Sequence, residues 1–159
     1  MGHFDKLQAK KAVVNSVECA GQIKELAVQE AGDAAVTVAE STRYLNCNAD
    51  ASSSRVVTMP AALKGSAFRA FWSVEQATSD RVFTRAGSDT FEGNIFTSQA
   101  GNAGGDGDVV AIANTTTAIT VVDDVNIGSY IDFFCMADGR WSVVGHLVLD
   151  AVASVPTLA

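Results

Sequence analysis

The sequence has few of the residues on which most recognisable chemistry depends. It holds two histidines, two prolines and three cysteines in 159 residues, and no apolar run of about 18 residues or more. The missing run argues against a membrane helix, and the N-terminus lacks the apolar stretch of a signal peptide. The odd set of Cys19, Cys47 and Cys135 has no metal-ligand spacing. We therefore predict free thiols in a protein assembled in a reducing cytoplasm.

Basic residues are also few, and they are scattered along the chain. Eleven Lys and Arg stand against eighteen Asp and Glu, which gives a net charge of −7. Phosphate binding needs clustered basic side chains, so this composition argues against nucleic acid as a partner. The segment before Gly32 is neutral because its lysines and acidic residues cancel, so the rest of the chain carries the whole negative charge.

Candidates for catalysis or metal binding are weak. His146 lies in a predicted strand, and no Gly-x-Ser-x-Gly motif marks a nucleophile to accompany it. The loop Asn102–Asp108 has the residue types of a calcium loop, but it has neither the EF-hand spacing nor a repeated nonapeptide. We interpret it as a solvated turn. The sequence therefore predicts no catalytic residue, no metal site and no cofactor, and we expect a protein that is not an enzyme.

What the sequence does contain is a series of short segments with strand character. Apolar and polar residues alternate most clearly in residues 66–74, where Phe68, Ala70, Trp72 and Val74 share one face. Similar patterns predict further strands at 35–39, 42–46, 55–59, 81–85, 91–97, 109–114 and 118–123. Clusters of Gly, Asp, Asn and Ser separate many of these segments and indicate turns.

The strongest short-range signal lies in Gly128–Asp150. Two apolar runs flank an Asp-Gly pair at 138–139, which is typical of a two-residue hairpin turn. In the second run Trp141 belongs to an apolar face and is interpreted as scaffold, whereas Val144 and His146 lie on a mixed face. We expect a neighbouring subunit or arm to cover part of that mixed face. We also expect the uncharged tail, residues 151–159, to lie against another surface.

Together these patterns predict an all-β fold. Residues 32–159 are expected to form a jelly-roll-like sandwich or barrel. Residues 1–31 are expected to form an N-terminal arm that is partly helical or extended. Two interpretations of the arm stay open: it packs on its own domain as a helix or hairpin, or it lies across a partner and orders on binding.

Several motifs follow one another in a recognisable order. Val-Thr-Met-Pro-Ala-Ala at 57–62 ends a strand and is followed by Gly65 and an aromatic strand. A Gly/Asp loop then leads into Gly-Asp-Val-Val at 107–110 and a Thr-rich strand. Gly-Ser-Tyr-Ile-Asp-Phe-Phe at 128–134 leads to Asp-Gly-Arg-Trp-Ser-Val at 138–143. Over roughly residues 55–149 this order resembles small structural proteins of tailed bacteriophages, and it looks like that of a capsid decoration (cement) protein.

The resemblance implies a virion structural protein that binds the outer surface of a phage capsid as a trimer and stabilises the expanded head. Its partners would be the major capsid protein and further copies of itself, with no membrane partner. Its location would be the capsid exterior, after assembly in the host cytoplasm. The arm would then contact the major capsid protein through Phe4, Leu7, Lys10 and Lys11.

Interface composition extends this hypothesis to the contact between copies. Arg and aromatic residues are enriched at interfaces, so Arg69 is the best candidate for an interface ion pair. We predict a trimer interface of Arg69, Phe71, Val144 and His146. The alternative is the head or base domain of a phage fibre or tail protein involved in host attachment. An enzyme such as a depolymerase or lysozyme ranks third, because the sequence shows no carboxylate-pair motif.

Overall fold

The structure is a computed structural model and describes residues 28–32, 34–48, 54–99, 107–150 and 156–159. Within these residues every regular element is a strand, so the predicted all-β fold is confirmed. The strands are β1 (Val28–Glu30), β2 (Val36–Thr37), β3 (Tyr44–Cys47), β4 (Arg55–Thr58), β5 (Ala67–Trp72), β6 (Arg81–Thr84), β7 (Thr90–Gln99), β8 (Val109–Thr116), β9 (Ala118–Val121), β10 (Tyr130–Ala137), β11 (Arg140–Leu149) and β12 (Thr157–Leu158).

The strands form two mixed sheets that pack face to face. One sheet has seven strands in the order β1-β3-β5-β10-β11-β7-β8, and the other has five in the order β12-β9-β6-β4-β2. Aromatic rings join the two inner faces. Phe83 of the five-stranded sheet lies 5.2 Å from Phe133 and 6.4 Å from Trp72 of the seven-stranded sheet, measured between ring centroids. The architecture is therefore a two-layer sandwich.

The first six strands alternate between the two layers. β1, β3 and β5 are parallel neighbours in one sheet, and β2, β4 and β6 are parallel neighbours in the other. Each turn of the chain thus adds one strand to each layer, and the three turns form a parallel coil. A jelly roll is built from antiparallel strands, so the coil differs from that expected arrangement. Alternation in a sequence shows which side chains face the core, but not the direction of the neighbouring strand.

The predicted Asp-Gly hairpin is confirmed in the middle of the seven-stranded sheet. β10 and β11 are antiparallel and meet at Asp138-Gly139, where Gly139 has a φ of 82°. This left-handed conformation favours glycine. The loop before β5 holds the turn, because the Lys64 amide donates to Asp138 at 2.7 Å and the Gly139 amide donates to the Ala62 carbonyl at 2.8 Å. The turn is thus a supported part of the scaffold.

The predicted inner faces of β5 and β11 are buried as expected. Phe68, Ala70 and Trp72 of β5 lie in the core, whereas Val74 lies beyond the strand and is exposed. Trp141 of β11 is fully buried, and its ring packs edge-on against Phe68 at a centroid distance of 5.8 Å. Trp141 is therefore a core residue, which agrees with its interpretation as scaffold.

A buried glutamine joins the end of β5 to the strand β9 in the other sheet. Gln76 Oε1 accepts a 2.9 Å hydrogen bond from Trp72 Nε1. Gln76 Nε2 donates to the carbonyls of Val121 and Val122, at 3.2 and 3.1 Å. Since every polar atom of this side chain has a partner, these hydrogen bonds offset the cost of burying the amide where the glutamine connects the two layers.

Two strands lie outside the set expected from the sequence. β1 falls within residues 1–31, which the sequence assigned to an arm, yet it pairs with β3 and is followed by the buried Ala31. β12 comes from the uncharged tail and pairs with β9, so the described end of the tail lies against a sheet, as expected. Both strands are too short for periodicity to reveal, and their pairing with distant strands defines them.

Candidate functional site

The outer face of the seven-stranded sheet brings together the residues predicted as a trimer interface. Strand register places Arg69 and Val144 in one row across β5, β10 and β11. Phe71 and His146 lie in the adjacent row across the same three strands. All four therefore share one surface that faces away from the core. Their contact with another copy stays a prediction.

The row that contains His146 continues to the β8 edge as an apolar strip. His146 pairs with Phe96 of β7, and Phe96 pairs with Val109 of β8. Phe96 is 48% exposed and Val109 is 55% exposed. We call Val144, His146, Phe96 and Val109 the edge patch. Contiguous exposed apolar side chains of this kind mark interaction surfaces.

Sequence reasoning missed Phe96 and Val109 as interface candidates. Both lie in correctly predicted strands, and Phe96 alternates with the buried Ile95. That alternation could have placed Phe96 on an outer face. It could not show that β8 is the last described strand of the sheet. That position at the edge leaves the Val109 side chain exposed to solvent.

A hydrogen bond joins His146 to Ser98 beside the edge patch. The Ser98 Oγ and His146 Nε2 atoms are 3.0 Å apart, and the bond links β11 to β7. Among the described residues no carboxylate hydrogen-bonds to His146. The bond to Ser98 orients the imidazole ring on the sheet surface.

Arg69 makes its ion pair within the chain. Its Nε and Nη2 atoms each donate a 2.7 Å hydrogen bond to a separate oxygen of Asp132, which is its partner in the β5–β10 register. The guanidinium carbon lies 4.4 Å from the centroid of the Tyr130 ring, as in a cation–π contact. The hydrogen bonds to Asp132 raise the pKa of Arg69 above its ordinary value. Asp132 and Tyr130 therefore hold the guanidinium in place on the sheet surface.

Two open concavities have Arg69 and Tyr44 in their walls. The larger has a volume of about 480 Å³ and also includes Arg43 and Asp132. The smaller has a volume of about 320 Å³ and also includes Phe71 and Tyr130. The Tyr44 and Phe71 rings meet edge to face, with centroids 6.4 Å apart. We call Tyr44, Arg69, Phe71, Tyr130 and Asp132 the Arg69 platform.

The described cysteines belong to the core. Cys47 and Cys135 are free thiols, as predicted, and both are buried, whereas Cys19 lies outside the described residues. Burial raises the pKa of Cys47 to about 12 and also raises the pKa of Cys135 above its ordinary value. Since the thiolate is the reactive form, both groups act as small apolar core side chains near neutral pH.

Some predicted features lie outside the described residues, including the arm side chains Phe4, Leu7, Lys10 and Lys11 and most of the loop Asn102–Asp108. In the part of the chain that the structure describes, no three His, Cys, Asp or Glu side chains are grouped to hold a metal ion. A search of the same residues finds no helix with the length and apolar character needed to span a membrane.

Comparison with known proteins gives no relative: no protein-family model, no curated protein and no solved structure matches this chain. Function is therefore inferred from the residues and their geometry. The two surfaces that bear on it are the edge patch and the Arg69 platform, which lie on one face of one sheet.

Proposed function

We propose that this chain is a virion structural protein that binds the outer surface of a tailed-phage capsid as a homotrimer and stabilises the expanded head. The observation that carries the proposal is the edge patch, an exposed and mainly apolar strip at the rim of the seven-stranded sheet. The order of motifs over residues 55–149, which resembles capsid decoration proteins, supports the capsid as the partner. Exposed apolar strips support association between protein surfaces.

The edge strand β8 favours contact with another polypeptide. It is eight residues long and contains neither a charged residue nor a proline. Proteins usually protect an exposed edge with charges, prolines or a short strand, because an open edge can pair with another chain. No strand among the described residues pairs with the outer edge of β8, and this edge beside the edge patch therefore supports an interface at this position.

A ring of three copies can use the two opposite edges of the seven-stranded sheet. A cyclic trimer requires a heterologous contact, in which one surface meets a different surface of the next copy. Val28 is exposed in β1, at the edge opposite β8. It offers an apolar counterpart to Val109 and Val144. In this proposed ring Val144 and His146 form part of the contact, whereas Arg69 and Phe71, which the sequence also predicted for the interface, lie between the two edges and stay outside it.

Capsid binding is tested with the full chain and heads of the phage that encodes it. Expanded and unexpanded heads, both stripped of this protein, are mixed with the purified chain and sedimented. The chain should sediment with expanded heads only, and it should raise the temperature at which they release DNA. Three linked contacts make this binding stronger than a single contact allows. Binding to host cells and to neither head would favour the fibre alternative and overturn the proposal.

The contact between copies is tested by Val144→Asp with Val56→Asp as the matched control. Val144 is 42% exposed in the edge patch, and Val56 is 41% exposed in β4 of the other sheet. A buried unpaired charge should weaken trimer formation by about 30-fold or more in the Val144 variant. Sedimentation equilibrium should show a trimer for the wild type and for Val56→Asp. Equal trimer formation by both variants would rule out the edge patch as the interface.

A further inference from the structure

We propose that the Arg69 platform is a binding site for an uncharged saccharide. The proposal joins three features of the outer sheet face: two adjoining concavities, half-buried aromatic rings, and an ion pair whose charges cancel. It goes beyond the proposed function, because a capsid-bound trimer needs no ligand at this surface. The platform occupies β3, β5 and β10, whereas the edge patch occupies β11, β7 and β8.

The polar groups of the platform offer donors and acceptors without a net charge. Arg69 uses its Nε and one Nη2 proton for Asp132, and its Nη1 has no partner among the described residues. Each Asp132 oxygen accepts one of these bonds and keeps a further lone pair. The Tyr44 and Tyr130 hydroxyls make no hydrogen bond in the described part of the chain. Neighbouring donors and acceptors of this kind match adjacent hydroxyl groups, each of which can donate and accept.

The aromatic rings supply the apolar half of the site. Tyr44, Phe71 and Tyr130 are neither fully buried nor fully exposed, and all three line the smaller concavity. Aromatic faces carry partial negative charge, which attracts the partly positive C–H groups of a sugar ring. The Arg69 guanidinium lies on the Tyr130 ring, so the hydrogen-bonding groups and the apolar rings are adjacent. A pyranose presents both matching surfaces at once.

The charge balance of the smaller concavity disfavours an ionic ligand. Asp132 compensates the Arg69 charge through two 2.7 Å hydrogen bonds, and the chain as a whole carries −7. In the smaller concavity, which Arg43 does not line, an anion would meet a compensated guanidinium and a repulsive field. Arg43 adds a guanidinium to the wall of the larger concavity, where it donates to the carbonyls of Glu40 and Thr42. A cation would meet a carboxylate that is already paired. An uncharged, hydroxyl-rich ligand fits these groups better than either ion.

The strand order disfavours an extended peptide. Added strands bind to a free sheet edge through backbone hydrogen bonds. The platform lies on β3, β5 and β10, and each of these strands already has a neighbour on both sides. The concavity volumes of about 480 and 320 Å³ fall within the range of small-molecule sites. Side chains rather than a backbone edge must therefore hold the ligand.

The test titrates the full chain, labelled with ¹⁵N, with maltotriose, cellotriose, mannotriose and triacetylchitotriose. At least one sugar should give saturable shifts of the Arg69 Nε–H and Tyr130 amide signals, with a Kd of about 1 mM because the site is open. Arg69→Met should weaken that binding about tenfold or more. Arg140→Met is the matched control, since Arg140 pairs with Glu92 at 3.0 Å and both arginine side chains are 45% exposed.

A second variant guards against misfolding as an explanation. Tyr130→Leu keeps an apolar side chain and removes the ring, so it should lose sugar binding while its urea midpoint stays close to that of the wild type. The proposal is overturned if no sugar shifts these signals at about 20 mM. Equal binding by the Arg69 and Arg140 variants also overturns it. So does preferred, salt-sensitive binding of sialylated sugars, or a concentration-dependent shift without sugar, which would show a second copy on the platform.

Discussion

Gly93→Ala tests a close backbone approach in the sandwich, where β7 runs parallel to β11. Gly93 pairs with Val143 and has a φ of 138°, which side chains other than hydrogen rarely allow. A Cβ atom at Gly93 would lie 1.9 Å from the Val143 carbonyl oxygen and 2.8 Å from its carbonyl carbon. An ordinary contact begins at 3.4 Å, so the strands would have to separate by about 1.5 Å.

The cost of this substitution has two parts. The positive φ costs an alanine about 1–2 kcal/mol. Moving a central strand next to the buried Trp141 costs about 1–3 kcal/mol more, as overpacking of a close-packed core does. The expected loss of unfolding free energy is therefore about 2–5 kcal/mol, a large share of the 5–15 kcal/mol of a typical domain.

Urea unfolding followed by tryptophan fluorescence measures this loss, because Trp72 and Trp141 are both buried. Gly65→Ala is the matched control. Gly65 also has a positive φ, 92°, but nothing lies within 4 Å of its Cβ position, so only the conformational cost applies. If Gly93→Ala were no more destabilising than Gly65→Ala, the close parallel approach of β7 and β11 would be refuted.

Two further predictions concern groups in the core. Gln76→Leu removes the hydrogen-bond partner that Gln76 provides to Trp72 Nε1 and to the Val121 carbonyl. The unfolding free energy measured in urea should therefore fall by about 2–4 kcal/mol. A loss below about 1 kcal/mol would contradict these hydrogen bonds. The pKa of Cys47 rises from 9.0 to about 12 on folding, so its stabilising contribution is complete below pH 9 and is lost as pH rises towards 12. The difference in unfolding free energy between wild type and Cys47→Ala should therefore shift against the wild type by about 1.4 kcal/mol per pH unit above pH 9, whereas a constant difference would refute the burial effect.

The parts of the fold that could be predicted from the sequence are those encoded locally. The alternation in β5 and β11 identified their buried faces, and the Asp-Gly pair identified the β10–β11 turn. The direction of the partner strand has no local signal. The parallel pairing of β7 with β11 joins segments about fifty residues apart, and nothing in either segment specifies the other.

The same limit applies to the candidate site. The sequence predicted an ion pair of Arg69 across an interface, whereas the structure pairs Arg69 with Asp132 of the same chain. Asp132 is 63 residues away and meets Arg69 only through the β5–β10 register. The Tyr44 ring reaches the same surface through the parallel pairing of β3 with β5. A surface assembled by strand pairing therefore becomes visible only once the strand order is known.

The parallel coil of β1 to β6 allows the length of this half of the domain to change in whole turns. Because one turn contributes a strand to each layer, gain or loss of a complete turn leaves the remaining register intact. Insertion of a single residue within β3 or β5 would instead turn Leu45 or Phe68 towards solvent. Sequences that have diverged from this one should therefore differ in this half of the domain by pairs of strands. The edge positions now held by β1 and β2 would change, whereas the β10–β11 hairpin would stay in the middle of its sheet.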